Sequence, residues 1–376
     1  MKALVAWRVM TNERGRTVLV ITGIFVATLL MFLQLGFYYS VPRAGTLMFE
    51  AAPFDIMLTS KAYIYQGNPH SFPRRRLYQA ASLPGVEMAA PLYIDAMYWL
   101  SIEDKTMRGA TILGYALDKP VFDNASITSL QSVLSRPDTI IVDSDTRPMF
   151  GKLYAGRKIE LDMRQVEIGG VYELGTGFVG LAVALTSDIN FQRIFPGRGL
   201  HEVNMGLVRL KPGADLDAVV AAMKAIMPPD TRVQTRAEFF EQEQNRWTRS
   251  TSTGLIFGFG AVVALIVGMI ILYQMLATQI SRDLPQFATL KAIGYTDRDL
   301  AAIVVGVSVL MSAVAFPLAL GAAILIYDVV RGATLLPIEM SMARAVAVLV
   351  LIQAMSVGSA MLATQRLRQA DPAEIF

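Results

Sequence analysis

Four long stretches of this sequence contain no charged residue. They are Thr17–Pro42, Thr253–Ser281, Leu300–Tyr327 and Ala345–Gln365, each 21 to 29 residues long. A helix needs about 20 apolar residues to cross the ~30 Å hydrocarbon core of a membrane, whereas apolar runs of about 10–14 residues are typical of buried helices in soluble proteins. The four runs therefore predict four transmembrane helices, with one span before a long polar segment and three spans after it.

The first of these runs follows a basic segment, as the core of a secretory signal peptide does. Its apolar stretch Val18–Phe37 is longer than the roughly 7–15 residues of such a core, and no clear small-residue cleavage site follows it. The sequence therefore favours a retained signal-anchor helix. Leu4, Trp7 and Met10 share one face of the preceding segment, which indicates an interfacial helix.

Lysine and arginine are unevenly distributed among the short segments outside the spans. Residues 1–16, 282–299 and 366–376 contain nine of them, against two in residues 328–344. Because basic loops stay in the cytoplasm, we expect a multi-pass membrane protein with both termini cytoplasmic. The predicted segments are 1–16, a cytoplasmic amphipathic helix; 17–42, the first span; 43–252, an extracytoplasmic (periplasmic) domain; 253–281, the second span; 282–299, a cytoplasmic helix and loop; 300–327, the third span; 328–344, a short extracytoplasmic loop; 345–365, the fourth span; and 366–376, a cytoplasmic tail.

The long segment 43–252 has the pattern of a soluble domain with mixed α/β structure. The chain as a whole is 53% apolar and only 17% charged, but all of its charged residues lie outside the four runs. Turn signals separate short apolar or alternating stretches that indicate strands, and helical spacing indicates helices at Asp215–Met227 and Thr235–Arg249. The predicted strands are Phe54–Leu58, Met88–Tyr93, Thr139–Val142, Lys158–Leu161, Val166–Val171 and Val203–Leu210. The expected fold class is a membrane α-helical protein with four transmembrane helices in a 1+3 arrangement and a large mixed α/β extracytoplasmic domain.

Residues that could form a catalytic or metal-binding site are sparse. The absence of cysteine excludes disulfides, a thiol nucleophile and thiolate zinc sites. His70 and His201 have no metal-ligand spacing around them. Gly175, Gly177 and Gly180 fit G-x-G-x-x-G but no βαβ unit follows, so a glycine-rich loop is the better interpretation. We expect the chain not to be an enzyme and to bind no cofactor or metal itself.

Charge and phosphate-binding motifs narrow the possible functions further. The basic run Arg74, Arg75 and Arg76 is typical of a solvent-exposed surface. The alternatives are contact with lipid headgroups or with an acidic partner. The net charge of +3 gives no argument for nucleic-acid binding. The sequence has no G-x-x-x-x-G-K-[ST] loop, so any ATP hydrolysis that drives this chain is expected to belong to another subunit.

The short segment between the second and third spans has the pattern of a helix. Leu284, Phe287, Leu290 and Ile293 recur every three residues as one apolar stripe, and Gly294 suits a helix C-cap. The pattern fits a helical hairpin lying on the membrane surface, and equally a helix that docks into a groove of a soluble partner. Periodicity alone does not decide between the two.

A resemblance to a known family favours the docking helix. The stretch RDLPQFATLKAIGY at Arg282–Tyr295 resembles the E-x-A-T-L-K-A-x-G segment of FtsX/MacB-type ABC transporter permeases, and the 1+3 layout around a large outer domain is similar too. Together with Met31–Phe37 and Phe72–Ala80, the same stretch resembles the DevC branch of exporter permeases. The similarity extends over essentially the whole chain.

This resemblance implies a bacterial inner-membrane location and partners for the chain. It implies two copies of an ABC ATPase subunit, which uses ATP and Mg²⁺, and two copies of this chain. It also implies a periplasmic membrane fusion protein and an outer-membrane channel. The residues expected to contact the ATPase subunit are Asp283, Leu284, Pro285, Gln286, Phe287, Thr289, Leu290, Lys291, Ile293, Gly294 and Tyr295.

The second span carries small residues at four-residue intervals. Such spacing lets helices approach closely and predicts a homodimer seam, the alternative being packing within one chain. The seam candidates are Gly254, Gly258, Gly260, Ala264 and Gly268.

The polar content of the spans bears on the function. They contain the amides Gln34, Gln274, Gln279 and Gln353 but no ionisable group of Asp, Glu, Lys or Arg. This favours mechanical coupling and export of a lipid or a small amphipathic molecule over a conduit for a hydrophilic substrate. The alternative is a non-transporting FtsX-like signalling or scaffold protein that regulates an extracytoplasmic partner such as a cell-wall hydrolase.

Overall fold

The chain separates into two compact units. The computed structural model describes residues 14–100, 105–119, 121–175, 177, 180–249, 252–282 and 284–369. The helical unit comprises Met1–Ser40, Ser252–Thr334 and Ile338–Phe376. The α/β unit comprises Val41–Thr251 with Leu335–Pro337.

The α/β unit contains eleven described strands and several short helices, whereas the helical unit contains four long helices and one short one. The helices are α1 (Arg14–Ala44), α2 (Leu47–Glu50), α3 (Arg75–Ala81), α4 (Ala125–Leu130), α5 (Asp188–Ile194), α6 (Leu216–Ile226), α7 (Arg236–Arg249), α8 (Ser252–Arg282), α9 (Leu284–Ala292), α10 (Asp297–Thr334) and α11 (Met342–Gln369). The strands are β1 (Ile56–Ser60), β2 (Phe72–Pro73), β3 (Val86–Leu100), β4 (Met107–Tyr115), β5 (Thr139–Asp143), β6 (Lys158–Leu161), β7 (Arg164–Tyr172), β8 (Val183–Ser187), β9 (Glu202–Val203), β10 (Met205–Leu210) and β11 (Thr231–Thr235).

Four helices are long and apolar enough to cross a membrane. These candidate spans are Thr17–Ala44, Gly254–Arg282, Asp297–Thr334 and Met342–Gln365. The helices α1, α8, α10 and α11, to which they belong, contain the four charge-free runs. The predicted fold class, four spans with a large α/β domain between the first and the second, is therefore confirmed.

Polar side chains in the helical unit bind one helix to another. The Ser312 hydroxyl of α10 donates a hydrogen bond to the Gln353 side-chain oxygen of α11 at 3.1 Å. The Ser359 hydroxyl of α11 donates to the Met269 carbonyl of α8, also at 3.1 Å. Such bonds satisfy groups that are costly to leave unpaired in an apolar surrounding.

The α/β unit is built on one nine-stranded sheet of order β11-β1-β10-β3-β4-β8-β5-β7-β6. The fifteen-residue β3 pairs with β10 in its first half and with β4 in its second half. At its end, Trp99 pairs with Leu161 of β6. This last pairing closes six strands, β3-β4-β8-β5-β7-β6, into a ring.

Two apolar clusters form the core of the α/β unit. One contains Trp99 of β3, Phe150 and, from α6, Met223. The other contains Phe49 of α2 and Phe239 of α7. The helices therefore cover the sheet on two sides, as in a layered α/β architecture.

Sequence patterns located some of these elements and missed others. Lys158–Leu161 is a strand as predicted, and α6 and α7 begin and end within one residue of the predicted helices. The strands β4, β8 and β11 were not predicted. In β8 all five residues are buried, so the strand has no alternation of apolar and polar residues to reveal it.

Candidate functional site

The helix α9 lies between two candidate spans, and Gly294 ends it. Gly294 has a φ of +103°, which residues with a side chain rarely adopt. The backbone N–H groups of Gly294 and Tyr295 donate to the carbonyls of Lys291 and Leu290 at 2.9 and 3.1 Å. This is a Schellman motif, so the predicted C-cap is confirmed.

The apolar stripe predicted for α9 does not lie on one face. Phe287 is half-buried and packs with a cluster that contains Leu276 of α8 and Val304 of α10, whereas Ile293 is 71% exposed. A spacing of three residues falls short of the ~3.6 residues of a helical turn, so successive members of the stripe rotate by about 60°. The expectation of a single apolar face is therefore corrected. One part of the stripe packs inside the chain and another part is exposed.

Among the described side chains of α9 and the residue after it, three exposed ones are spaced by four. Pro285, Thr289 and Ile293 are all exposed, and this spacing places them in one row along the helix. Lys291, Leu290 and Tyr295 are half-buried, and the Lys291 ammonium lies 2.7 Å from the Asp297 carboxylate. Asp283 and the side chains of Leu284 and Gln286, which were also predicted contacts, lie outside the described residues.

The small residues of α8 contact other helices of the same chain. A Cβ added to Gly260 would lie 2.5 Å from the Gln34 side chain of α1, and one added to Gly268 would lie 2.7 Å from Met355 of α11. Gly254 and Ala264 are buried, and Gly258 lies beside Tyr38 of α1. These residues therefore allow close packing within one chain, which was the alternative to a dimer seam.

Between residues 254 and 270 of α8, the exposed residues are all large and apolar. They are Leu255, Ile256, Phe259, Val262, Val263, Ile266, Val267 and Ile270. A row of this length and composition suits lipid or another transmembrane helix. It is the part of α8 that is accessible to a second copy of the chain.

Arg74 and Arg76 of the basic run make structural contacts in the α/β unit. Arg76 is buried and its guanidinium lies 2.6 Å from the Asp230 carboxylate, and this hydrogen bond lowers the pKa of Asp230. The backbone carbonyl of His201 accepts a hydrogen bond from the Arg74 N–H at 2.7 Å. Within the described ranges, no three His, Asp or Glu side chains group as metal ligands.

The glycine-rich loop lies between two strands. Gly175 and Gly177 have positive φ angles of 91° and 53°, and they follow β7 and precede β8. A dinucleotide site of the G-x-G-x-x-G type needs a helix after the loop, because the helix N-terminus binds the phosphates. The interpretation as a glycine-rich loop beside a strand is therefore confirmed.

A buried carboxyl group, which the sequence patterns did not identify, lies on α7. Glu243 is 0% exposed, and its two oxygens accept hydrogen bonds from the Tyr63 hydroxyl at 2.8 Å and from the Gln66 backbone N–H at 3.4 Å. Burial raises the pKa of Glu243 to about 7. These two hydrogen bonds and the charge of Arg246 lower the pKa, but by less than burial raises it. Its spacing was an available signal, because Glu243 follows the buried Phe239 by four residues on the packed face of α7.

Next to this carboxyl group lies a cavity of about 590 Å³. Its lining comes from the loop 65–71, from β3 at 94–96, and from Thr111, Arg198, Asn204 and Trp247. Asn204 is buried and fixes the lining. Its side chain accepts hydrogen bonds from the Ile94 N–H at 2.8 Å and the Arg198 guanidinium at 3.1 Å, and donates one to the His70 carbonyl at 2.9 Å.

Comparison with known families shows to which family a chain with these spans and this outer domain belongs. The model of the MacB-like periplasmic core domain matches residues 17–226, which is more than half of the chain, and that of the FtsX-like permease C-terminal domain matches residues 258–372. The chain belongs to the MacB/FtsX permease family. Permeases of this family are subunits of ABC transporters in which the ATPase activity belongs to a partner subunit. No curated protein matches the chain.

Solved structures of extracytoplasmic domains are similar to this MacB/FtsX permease. The periplasmic region of MacB from Actinobacillus actinomycetemcomitans has 7% sequence identity and a TM-score of 0.36, covering 50% of this chain and 91% of that one. The extracellular domain of the noncanonical ABC-type transporter YknZ from Gram-positive bacteria has 13% identity and a TM-score of 0.33, covering 48% of this chain and 98% of that one.

Proposed function

We propose that this permease is the membrane-spanning subunit of an ABC exporter of the DevC branch. A separate ATPase subunit hydrolyses ATP with Mg²⁺, and the permease couples this to movements of its periplasmic domain and to export of a lipid or a small amphipathic molecule. The observation that carries the proposal is that the two family matches account for both the spans and the periplasmic domain of one chain. A membrane fusion protein and an outer-membrane channel complete the exporter, and both termini of the permease are cytoplasmic.

The ATPase subunit docks on the exposed face of α9 in this proposal. Pro285, Thr289 and Ile293 form the contact row, and the Schellman motif at Gly294 holds the end of the helix. Phe287 anchors α9 to the cluster shared by α8 and α10. A displacement of α9 by the ATPase subunit is therefore passed to two transmembrane helices at once.

The arrangement of polar groups in the helical unit supports a lipid or amphipathic substrate. The hydroxyls of Ser312 and Ser359 bind neighbouring helices. A path for a hydrophilic substrate would need polar side chains lining a cavity, because lipid does not solvate such a substrate. The substrate in this proposal enters from the membrane or from the periplasm.

Two permease copies meet along the exposed apolar row of α8 in this proposal. The small residues of the same helix pack against α1 and α11 of their own chain, so a second copy would have to displace those helices to reach them. The row around Phe259 and Ile266 needs no such rearrangement.

A single substitution on α9 tests the docking row. Ile293→Asp places a charge where an apolar contact is expected, and we expect recovery of the ATPase subunit with the tagged permease to fall at least tenfold. The matched control is Val329→Asp near the other end of α10, where the side chain is equally exposed at 72%. Co-purification from membranes, quantified against the permease, measures the effect. Equal recovery with both variants would show that the row does not bind the ATPase subunit.

Lipid bound to the purified complex distinguishes export from the signalling alternative. We expect mass spectrometry to find a lipid or amphipathic species enriched over the bulk membrane composition, and added back, it should raise the ATPase rate of the complex in nanodiscs. A complex with bulk lipid composition and a lipid-independent ATPase rate would instead favour an FtsX-like regulator of an extracytoplasmic partner.

A further inference from the structure

The cavity of the α/β unit lies at a strand edge that is covered only in part by the neighbouring strands. β10 ends its pairing with β3 at Met205 opposite Leu92, and β6 begins its pairing at Leu161 opposite Trp99. Residues 93–98 of β3 lie between these two pairings, and three of them, Ile94, Asp95 and Ala96, line the cavity. Open strand edges present backbone groups that can pair with another chain.

The backbone groups that face this edge can be assigned from their bonds. The Ile94 N–H donates to the Asn204 side chain at 2.8 Å, and the Tyr98 carbonyl accepts from the Asp162 N–H at 2.7 Å, so both residues point away from β4. In a strand, the backbone N–H and C=O groups of every second residue face the same edge, so those of Ala96 face this edge as well. Its N–H donates to the adjacent Asp95 carboxylate at 2.9 Å, and its side chain is exposed.

The residues that line the cavity include a buried amide, Gln66. The Gln66 side chain is 2% exposed, and neither its nitrogen nor its oxygen has a hydrogen-bond partner among the described residues. An unpaired buried amide destabilises the folded protein, and a hydrogen-bonding ligand would remove this penalty. A carboxamide carries one acceptor and two donors in a plane, which is the complement of a backbone peptide group.

The charges of the lining are balanced. The Arg198 guanidinium lies 2.6 Å from the Asp95 carboxylate, and both side chains are about one-third exposed. The cavity therefore shows no preference for an anion or a cation, and its specific groups are hydrogen-bonding ones. Its volume lies within the range of ligand-binding pockets.

We propose that this cavity binds an extended peptide segment of another polypeptide, which adds as a strand beside Ala96 of β3 and pairs one of its peptide groups with the Gln66 amide. Strand addition of this kind obtains affinity from main-chain hydrogen bonds and specificity from side-chain pockets. The site belongs to the periplasmic domain alone. The proposal therefore holds whether the permease exports a substrate or regulates a partner.

The test uses the full-length permease in detergent micelles and a phage-displayed library of linear heptapeptides as the probe. We expect peptides to be enriched on the wild-type protein. For the best of them, Ala96→Pro removes the edge N–H and Gln66→Leu removes the amide, and each should weaken binding at least tenfold. Proline is tolerated at strand edges, and Leu at position 66 replaces an unpaired amide with an apolar side chain of similar size.

The matched control is Gln234→Leu, the same substitution at another buried glutamine that does not line the cavity. Binding should be unchanged in this variant. Methylation of the central backbone nitrogens of the peptide should also weaken binding at least tenfold. The proposal is overturned if no peptide is enriched, if Gln66→Leu and Gln234→Leu bind equally well, or if N-methylated peptides bind as well as the parents.

Discussion

Glu243 shows how one residue can make the stability of the α/β unit depend on pH. Its carboxyl group is held in the core by the Tyr63 hydroxyl and by the backbone of the cavity loop. The pKa of about 7 lies above the ordinary value of 4.5 because the charged form loses its hydration. Between these two values the folded protein binds more protons than the unfolded chain, so stability falls as the pH rises through this window.

We expect Glu243→Gln to flatten this dependence. In the wild type the free energy of unfolding should fall by up to about 3 kcal/mol between pH 5 and pH 8, because one pKa unit corresponds to about 1.4 kcal/mol. Thermal unfolding of the full-length protein in detergent, followed by tryptophan fluorescence at several pH values, measures it. Burial also raises the pKa of Asp143, to about 6, but this contribution is common to both proteins and cancels in their difference.

The control for this experiment is Glu241→Gln, at an exposed position on the same helix. This variant should keep the pH dependence of the wild type. If Glu243→Gln and Glu241→Gln have the same pH profile as the wild type, the carboxyl group at position 243 does not control stability.

At the scale of elements, the ring of six strands depends on the end of β3. Trp99 is 0% exposed, and its ring centroid lies 5.0 Å from that of Phe150. The same residue pairs with Leu161 of β6, so one side chain fills the core at the place where the ring closes.

We expect Trp99→Ala to destabilise the α/β unit by about 3–5 kcal/mol, the range for truncating a large buried aromatic side chain. Hydrogen exchange of the full-length protein should show the largest loss of protection in β6. Tyr98→Ala is the matched control, because the adjacent Tyr98 points to the other side of the strand and is 58% exposed. Similar losses of protection in the two variants would show that Trp99 does not hold the ring closed.

At the scale of the whole molecule, the proposed contact between two copies along α8 leads to a test by cross-linking. The chain contains no cysteine, so a single introduced cysteine reports one contact without a background. Phe259→Cys on the exposed apolar row should form a disulfide-linked dimer in oxidised membranes, whereas Ala264→Cys, which is buried, should not. Non-reducing gel electrophoresis measures both. A dimer through Ala264→Cys alone would restore the seam of small residues, and no dimer in either variant would place α8 away from a symmetric contact.

Local patterns predicted some elements of the α/β unit well. α7 begins where Thr235 and Glu238 form a capping box, with reciprocal hydrogen bonds of 3.2 and 2.7 Å. These groups are three residues apart in the chain, so the signal is complete in a short window. β8 carries no such signal, because residues distant in sequence bury both of its faces: Ala184 belongs to the cluster that contains Trp99, and Leu185 belongs to the cluster that contains Phe239.

The four spans, the 1+3 layout and the family were all predictable from the amino-acid sequence. A charge-free run of more than 20 residues has one stable form in a membrane, since only a helix satisfies its backbone there without partners. The tertiary structure decided which residues of α8 and α9 are exposed, why Glu243 and Gln66 are buried, and where the edge of β3 is open. These properties depend on contacts between residues far apart in the chain, and periodicity within one segment does not contain them.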